Sequence, residues 1–348
     1  MSEVKLVSRA ERFDLMQRIE AARNTKLICY ITGDRRNHET KIAADIFSFI
    51  YEHLVGVGHV GAIDLFLYTA GGDSVAGWGL VNLLREFCDS MNVIIPFKAL
   101  SCGTLIALGA NEIVMGRGGQ LSPLDPSVSS PYNPPAPGQQ PVGRLGLLPV
   151  SVEDMMAYLR LARDEGKLQG EEAIASVIQT LSDKVHPLAL GAAYRAREQG
   201  GMLASRLMEY HEKDKDKINK VVDFLTKELP SHNYLIGKRE AKQVIGLPVV
   251  EVDPEIEDNC WALYQQYEQW LELPTPYNPE TVLGANPTAT ASFPRAALES
   301  IEKGRLRSHI FTTTKELRRV QSTQPGIPVP ITGVQERILA EGWIEEQT

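Results

Sequence analysis

Between Lys26 and Met115 short apolar runs alternate with longer segments of helical periodicity, in the order LICYIT, HETKIAADIFSFIYEHL, AIDLFLYT, DSVAGWGLVNLLREF, NVIIPFKA, CGTLIALGA and EIVMG. The short runs are apolar at consecutive positions, as strands buried on both faces are, and strand alternating with helix predicts a parallel sheet covered by helices. The predicted class is α/β. Ile42, Ile46, Phe49, Ile50 and Leu54 keep helical spacing in the second segment, and Val75, Leu80, Leu83, Leu84 and Phe87 in the fourth, so each predicts a core-facing stripe. Ahead of the first strand, MSEVKLVSRAERFDLMQRIE sets Leu6, Phe13, Leu15 and Ile19 among charges and reads as an amphipathic helix.

The pattern changes twice further on. Residues 129–149 hold six prolines and one charge, Arg144, which excludes a continuous helix or a central strand and predicts a long loop. From Val152 helical periodicity returns through VEDMMAYLRLARDEG, EEAIASVIQTLSDKV, PLALGAAYRAREQGGMLASRLMEYHEK and DKINKVVDFLTKEL, a helical layer whose densely charged stretch Glu209 to Lys220 reads as a solvated face. Beyond Glu251 the pattern is irregular, with a predicted short helix AALESIEKG, a strand-like HIFTTT and a final ITGVQERILAEGWIEE. The expected division is an N-terminal helix at 1–25, a core at 26–250 that contains the Pro-rich loop, and a C-terminal module at 251–348 serving oligomerisation or partner docking. Pro-Tyr-Asn-Pro occurs at 131–134 and again at 276–279, a repeat that turn chemistry explains.

Composition removes whole classes of function. The 348 residues are 43% apolar and 23% charged, ordinary for a chain that buries its own core. A net charge of −8 with no basic block argues against a nucleic-acid partner. No apolar run approaches the roughly 18–20 residues of a membrane span, and the first residues show no signal segment, so the expectation is a cytoplasmic protein without membrane insertion. Cys29, Cys88, Cys102 and Cys260 form no Cys-x-x-Cys pair, and no His-Glu-x-x-His spacing is present; neither a metal nor another cofactor is expected.

Two segments carry candidate chemistry. Thr69-Ala70-Gly71-Gly72-Asp73 and Leu100-Ser101-Cys102-Gly103-Thr104 each end an apolar strand and open a helix. A Gly-Gly pair there allows positive φ and turns backbone N–H groups toward a cavity, the geometry that holds a developing oxyanion. A serine at a helix start puts its hydroxyl in the same region, where the helix dipole favours negative charge. Taken singly, the glycines also suit a structural turn and the serine an N-cap worth about 1 kcal/mol.

The ordered set Thr-Ala-Gly-Gly-Asp, Ser-Cys-Gly-Thr-Leu-Ile-Ala-Leu-Gly-Ala-Asn-Glu-Ile-Val-Met-Gly and Ser-Pro-Leu-Asp-Pro at 122–126 resembles the serine dehydrogenase proteinases. These are Clp-fold serine peptidases related to signal peptide peptidase A and the Clp proteolytic subunit. The resemblance implies a Clp/crotonase-type spiral of β-β-α units, a nucleophile at Ser101, an oxyanion hole from the N–H groups of Gly72 and Cys102, and a homo-oligomer acting on peptides or unfolded proteins. The family more often reads Thr-Pro-Gly-Gly and Ser-Ala-Gly-Thr, so Ala70 and Cys102 depart from it. With no P-loop in the chain, folded substrates would require a separate unfoldase or adaptor.

The general base stays open at this level. Asp125, 24 residues after Ser101, falls where the Clp proteolytic subunit carries its histidine, and His232 falls ahead of a Glu-Ala…Gly-Leu segment where that family carries its aspartate. One reading therefore has His232 as base and Asp125 as the orienting acid, with the two positions exchanged. A Ser/Lys dyad is the alternative, with Lys98, Lys167 or Lys184 as base, and His186 at a helix start is a further candidate. The remaining histidines, His38, His53, His59, His211 and His309, read as surface positions. Two rival functions are a Clp-fold scaffold without activity and a coenzyme A thioester hydratase or isomerase of the crotonase type, against which the serine at the helix start argues.

Overall fold

The computed structural model describes residues 8–124, 127–128, 131–136, 147–148, 150–229, 231, 233–322 and 331–346. It divides into two units, Met1–Gln120 with Gly237–Thr348, and Leu121–Ile236. The expected boundaries near 25 and 250 do not coincide with these divisions, because both ends of the chain contribute to one sheet.

The first unit contains strands β1 (Lys26–Thr32), β2 (Val60–Tyr68), β3 (Cys88–Ile95), β4 (Ile113–Met115), β5 (Val249–Val250), β6 (Thr288–Glu302), β7 (Arg305–Ser322) and β8 (Ile331–Glu345). They form one sheet in the order β8-β7-β6-β1-β2-β3-β4-β5. The pairs from β1 through β5 are parallel, and β6 joins β1 antiparallel, Ile28 opposite Ser300 and Thr32 opposite Ala296. The helices are α1 (Arg9–Arg23), α2 (Phe47–Val57), α3 (Ser74–Arg85) and α4 (Cys102–Leu108).

The consecutive apolar positions of the parallel strands are explained by burial on both faces. Leu27, Cys29 and Ile31 of β1, with Phe66 and Tyr68 of β2, pack against α1 and against a later helix, Pro254–Trp270. The intervening residues Ile28, Tyr30, Leu65 and Leu67 are equally buried on the opposite face. Arg12 of α1 reaches Glu299 of β6 with two hydrogen bonds of 2.9 and 2.8 Å, and the Tyr267 hydroxyl donates to the same carboxylate at 2.7 Å. Burying such a pair is tolerable because each partner is answered by hydrogen bonds.

Two expected helices are different in the structure. AALESIEKG runs mostly within β6, with Ala296, Ala297 and Leu298 buried between β1 and β7, so pairing on both edges overrides a locally helical composition. The segment HETKIA does not begin α2. Ile42 instead forms an isolated bridge with Gly72, and a 3-10 turn at Ala44–Ile46 leads into the helix.

In the second unit lie α5 (Val152–Arg160), α6 (Glu171–Ser182), α7 (Pro187–Met208) and α8 (Lys215–Asp223), the helical layer predicted from periodicity. Val150, Val152 and Ala193 form a small core there, with Met155, Met156 and Val185 packed against it. Pro187 opens α7, and the imidazole of His186 caps it by accepting the Leu188 N–H at 3.1 Å. Among the described residues no helix is long and apolar enough to cross a membrane.

Candidate active site

The ends of β2 and β3 lie side by side, and the two motifs extend from them. Thr69 continues the parallel register past β2: its N–H donates to Lys98 C=O at 2.9 Å and its C=O accepts from Leu100 N–H at 3.1 Å. The chain then turns through Gly71 at φ 118°. A Cβ on Gly71 would stand 3.1 Å from Ser101 Cβ and 3.5 Å from Ser101 Oγ, so a side chain here would crowd the serine. Gly72 follows, pressed against residue 42, whose N–H donates to Gly71 C=O at 3.0 Å and whose C=O accepts from Asp73 N–H at 2.9 Å. Because the residues on either side of Gly72 supply both of these bonds, the N–H of Gly72 itself points away from that strap. Asp73 ends the turn as the N-cap of α3, accepting from Val75 and Ala76 N–H.

Ser101 takes the other turn. It stands at the N-cap position of α4 with φ 51° and ψ −109°, and its side chain makes no capping hydrogen bond. The structural explanation of a serine before a helix therefore fails for this residue, whereas Ser8 and Ser151 both cap their helices through Oγ. A non-glycine backbone held outside the usual regions costs of order 1–3 kcal/mol, and such strain concentrates at functional positions. Below it, α4 packs closely: a Cβ on Gly103 would lie 2.6 Å from Thr69 Cγ2. Cys102 N–H, at the first position of the helix, and Gly72 N–H make no backbone hydrogen bond outside the regular elements among the described residues. Together they supply two backbone donors beside one hydroxyl, the elements of an oxyanion-stabilised acyl transfer.

The thiol next to the serine is not a competing nucleophile. Cys102 is buried, donates to Asp73 C=O at 3.1 Å, and lies where a Cβ on Gly77 would come within 2.4 Å of its sulfur. Burial, and then the nearby Asp73 charge, pushes its pKa up to about 12, so it carries no thiolate at neutral pH.

The candidate bases fall in different places. His232 and Asp125 lie outside the described residues. Lys98 is half-buried and ion-paired to Asp34 at 2.9 Å, with the Tyr68 hydroxyl donating to the other Asp34 oxygen at 2.6 Å. Its ammonium group is thus engaged by Asp34. Lys167 and Lys184 are exposed.

Three histidines expected at the surface are buried instead. His53 Nε2 meets His309 Nδ1 at 2.9 Å and His53 Nδ1 meets Ser300 Oγ at 2.7 Å, a chain linking α2 to β6 and β7. Burial, then His309 and Arg307, drives the His53 pKa down to about 3. His38 stacks on Tyr277 with 4.7 Å between ring centroids, and burial followed by Arg295, Lys315 and Arg35 lowers it to about 4. Amphipathic spacing on single elements concealed this, since the faces that bury them belong to distant strands.

The adjacent strand ends of a mixed α/β sheet thus carry a glycine turn and a strained serine at a helix start. Residues 2–139 match the ClpP-like SDH-type serine proteinase family, and this stretch contains both turns. An uncharacterized protein of Methanocaldococcus jannaschii is 32% identical over 126 residues, covering 34% of this chain and 42% of its own length. A second uncharacterized protein of the same organism is 26% identical over 209 residues, 60% of this chain and 59% of the relative. The chain thus spans about half the length of these curated relatives. Among solved structures, ClpP1 from Listeria monocytogenes aligns with 70% of this chain and 99% of its own at 15% identity and a TM-score of 0.34.

Proposed function

We propose that the protein is a serine peptidase that cleaves peptide bonds through an acyl-enzyme on Ser101, with Gly72 and Cys102 N–H groups binding the oxyanion. The observation that carries this is Ser101 itself, held at φ 51° without a capping bond and packed against Gly71. In the first step Ser101 Oγ attacks the scissile carbonyl, its proton passes to a base, and the negative charge moves onto an oxygen facing the two N–H groups. Collapse releases the amine half with that proton, and water then frees the acid half.

His232 with Asp125 remains our proposed base and orienting acid on the sequence grounds given above. The pairing of Lys98 with Asp34 and the exposure of Lys167 and Lys184 weigh against the lysine alternatives. A peptide or unfolded polypeptide substrate and a homo-oligomeric assembly follow from the same reading. The test is hydrolysis of an unfolded polypeptide such as reduced, carboxymethylated casein by the purified protein. Fragments are expected with the native chain and none with Ser101→Ala; equal fragmentation by both overturns the proposal.

A further inference from the structure

We propose that Thr69 is a positioning residue whose hydroxyl locks the oxyanion turn to the nucleophile turn, an inference that rests on the acyl-enzyme reading of Ser101. Six contacts converge on this one fully buried side chain and its backbone. Its Oγ1 accepts the Gly71 N–H at 3.0 Å and a hydrogen bond from the Thr32 hydroxyl at 2.7 Å, and stands 3.2 Å from Gly71 C=O, to which it donates. Its methyl group occupies the space that a side chain at Gly103 would need. Its backbone bonds to residues 98 and 100, on the approach to Ser101.

The logic is one of constraint. Gly71 and Gly72 have the widest conformational freedom of any residues, and Ala70 between them and Thr69 is exposed and carries nothing that fixes its own φ. Residue 42 holds the turn from outside through Gly71 C=O and Asp73 N–H, but it leaves the peptide between Ala70 and Gly71 unfixed, and rotation there would carry the Gly72 N–H away from an oxyanion at Ser101. The Thr69 hydroxyl bonds the N–H of the peptide before Gly71 and the C=O of the peptide after it, and so couples the two peptides that flank Gly71 from the inner side of the turn. The Thr32 hydroxyl, donating from β1, orients the Thr69 hydroxyl for this task. Preorganised donors are what make an oxyanion site effective, and small displacements of them reduce the chemical step with little effect on ground-state binding.

Thr69→Val keeps the methyl packing and removes the hydroxyl; Thr69→Ser keeps the hydroxyl. The experiment measures acylation by a fluorophosphonate, kcat and KM for a peptide ester, and amide hydrogen exchange of the stretch 66–75. Thr69→Val is expected to lower acylation and kcat by at least about tenfold with KM unchanged and to speed exchange, while Thr69→Ser stays within about threefold of wild type. Thr32→Val, which leaves the Thr69 to Gly71 bonds in place, is expected to fall between them and serves if Thr69→Val does not fold. Wild-type acylation in Thr69→Val, or equal impairment of Thr69→Ser, overturns the proposal. If Ser101→Ala labels as fast as wild type, the acyl-enzyme reading has failed instead. Exchange alone then decides whether the hydroxyl holds the turn, and unchanged protection in Thr69→Val says that it does not.

Discussion

Gly72→Ala is the sharpest perturbation of the site that the backbone geometry allows. A Cβ at position 72 would lie 2.2 Å from the carbonyl oxygen of Ile42, 2.5 Å from its nitrogen and 2.8 Å from its carbonyl carbon. All three are backbone atoms, so no rotamer change relieves the contact; the strap must retreat by about 1 Å to restore ordinary van der Waals separation. That retreat breaks the two hydrogen bonds at 3.0 and 2.9 Å joining residue 42 to Gly71 and Asp73. At about 1 kcal/mol each, with about 1–2 kcal/mol for an alanine at this φ, the expected loss of stability is about 3–4 kcal/mol. The Gly72 N–H moves with the strap, and a displacement near 1 Å is expected to slow acylation by about 10²-fold. Gly71→Ala provides the contrast. Its nearest neighbour would be a side-chain atom, Ser101 Cβ at 3.1 Å, so acylation should suffer while the bonds to residue 42 survive. Urea unfolding followed by circular dichroism, with timed fluorophosphonate labelling, reads both quantities. A Gly72→Ala protein within about 0.5 kcal/mol of wild type that labels at the wild-type rate would refute the assignment of the strap and of the donor.

Stability should fall on mild acidification. His53 and His38 have folded pKa values of about 3 and about 4, below the ordinary 6.5, so the unfolded chain takes up protons more readily. Their contribution is complete above pH 6.5 and declines as pH drops toward those folded values, with His53 alone worth about 3 kcal/mol by pH 4. Replacing His53 by glutamine should flatten the dependence of the urea midpoint between pH 6.5 and 4, and an unchanged slope counts against the buried pair. Cys102 should resist iodoacetamide in the folded protein at pH 8, with Ser101 labelling intact afterwards. Rapid alkylation of Cys102 accompanied by loss of labelling would contradict its burial and its hydrogen bond to Asp73.

Much of this was legible in the chain because burial on both faces leaves a strong mark. LICYIT and AIDLFLYT are apolar at nearly every position and became β1 and β2 as read; the motif after each later strand marked the two turns. What escaped depends on contacts between residues far apart in sequence. The place of AALESIEKG in β6 is decided by edges from β1 and β7, which outweigh local preference. Ile42 fits a helical stripe by spacing, yet the Gly72 turn recruits it as a strap. Thr69 and Thr32 were the missed pair: each sits at the end of an apolar run, where a hydroxyl reads as a mere strand terminus until the neighbouring strand is in place. The histidines were misread for the same reason, since His53 lies on a helix whose covering strands come about 250 residues later.

The central claim is that Ser101 is the nucleophile, and the most direct measurement is mass mapping of the residue modified by a fluorophosphonate. The account predicts a single phosphonyl adduct on Ser101 in the native protein and no adduct in Ser101→Ala, with the variant's unfolding curve unchanged in form. An adduct on Ser74 or Ser122, or labelling that persists in Ser101→Ala, would contradict it.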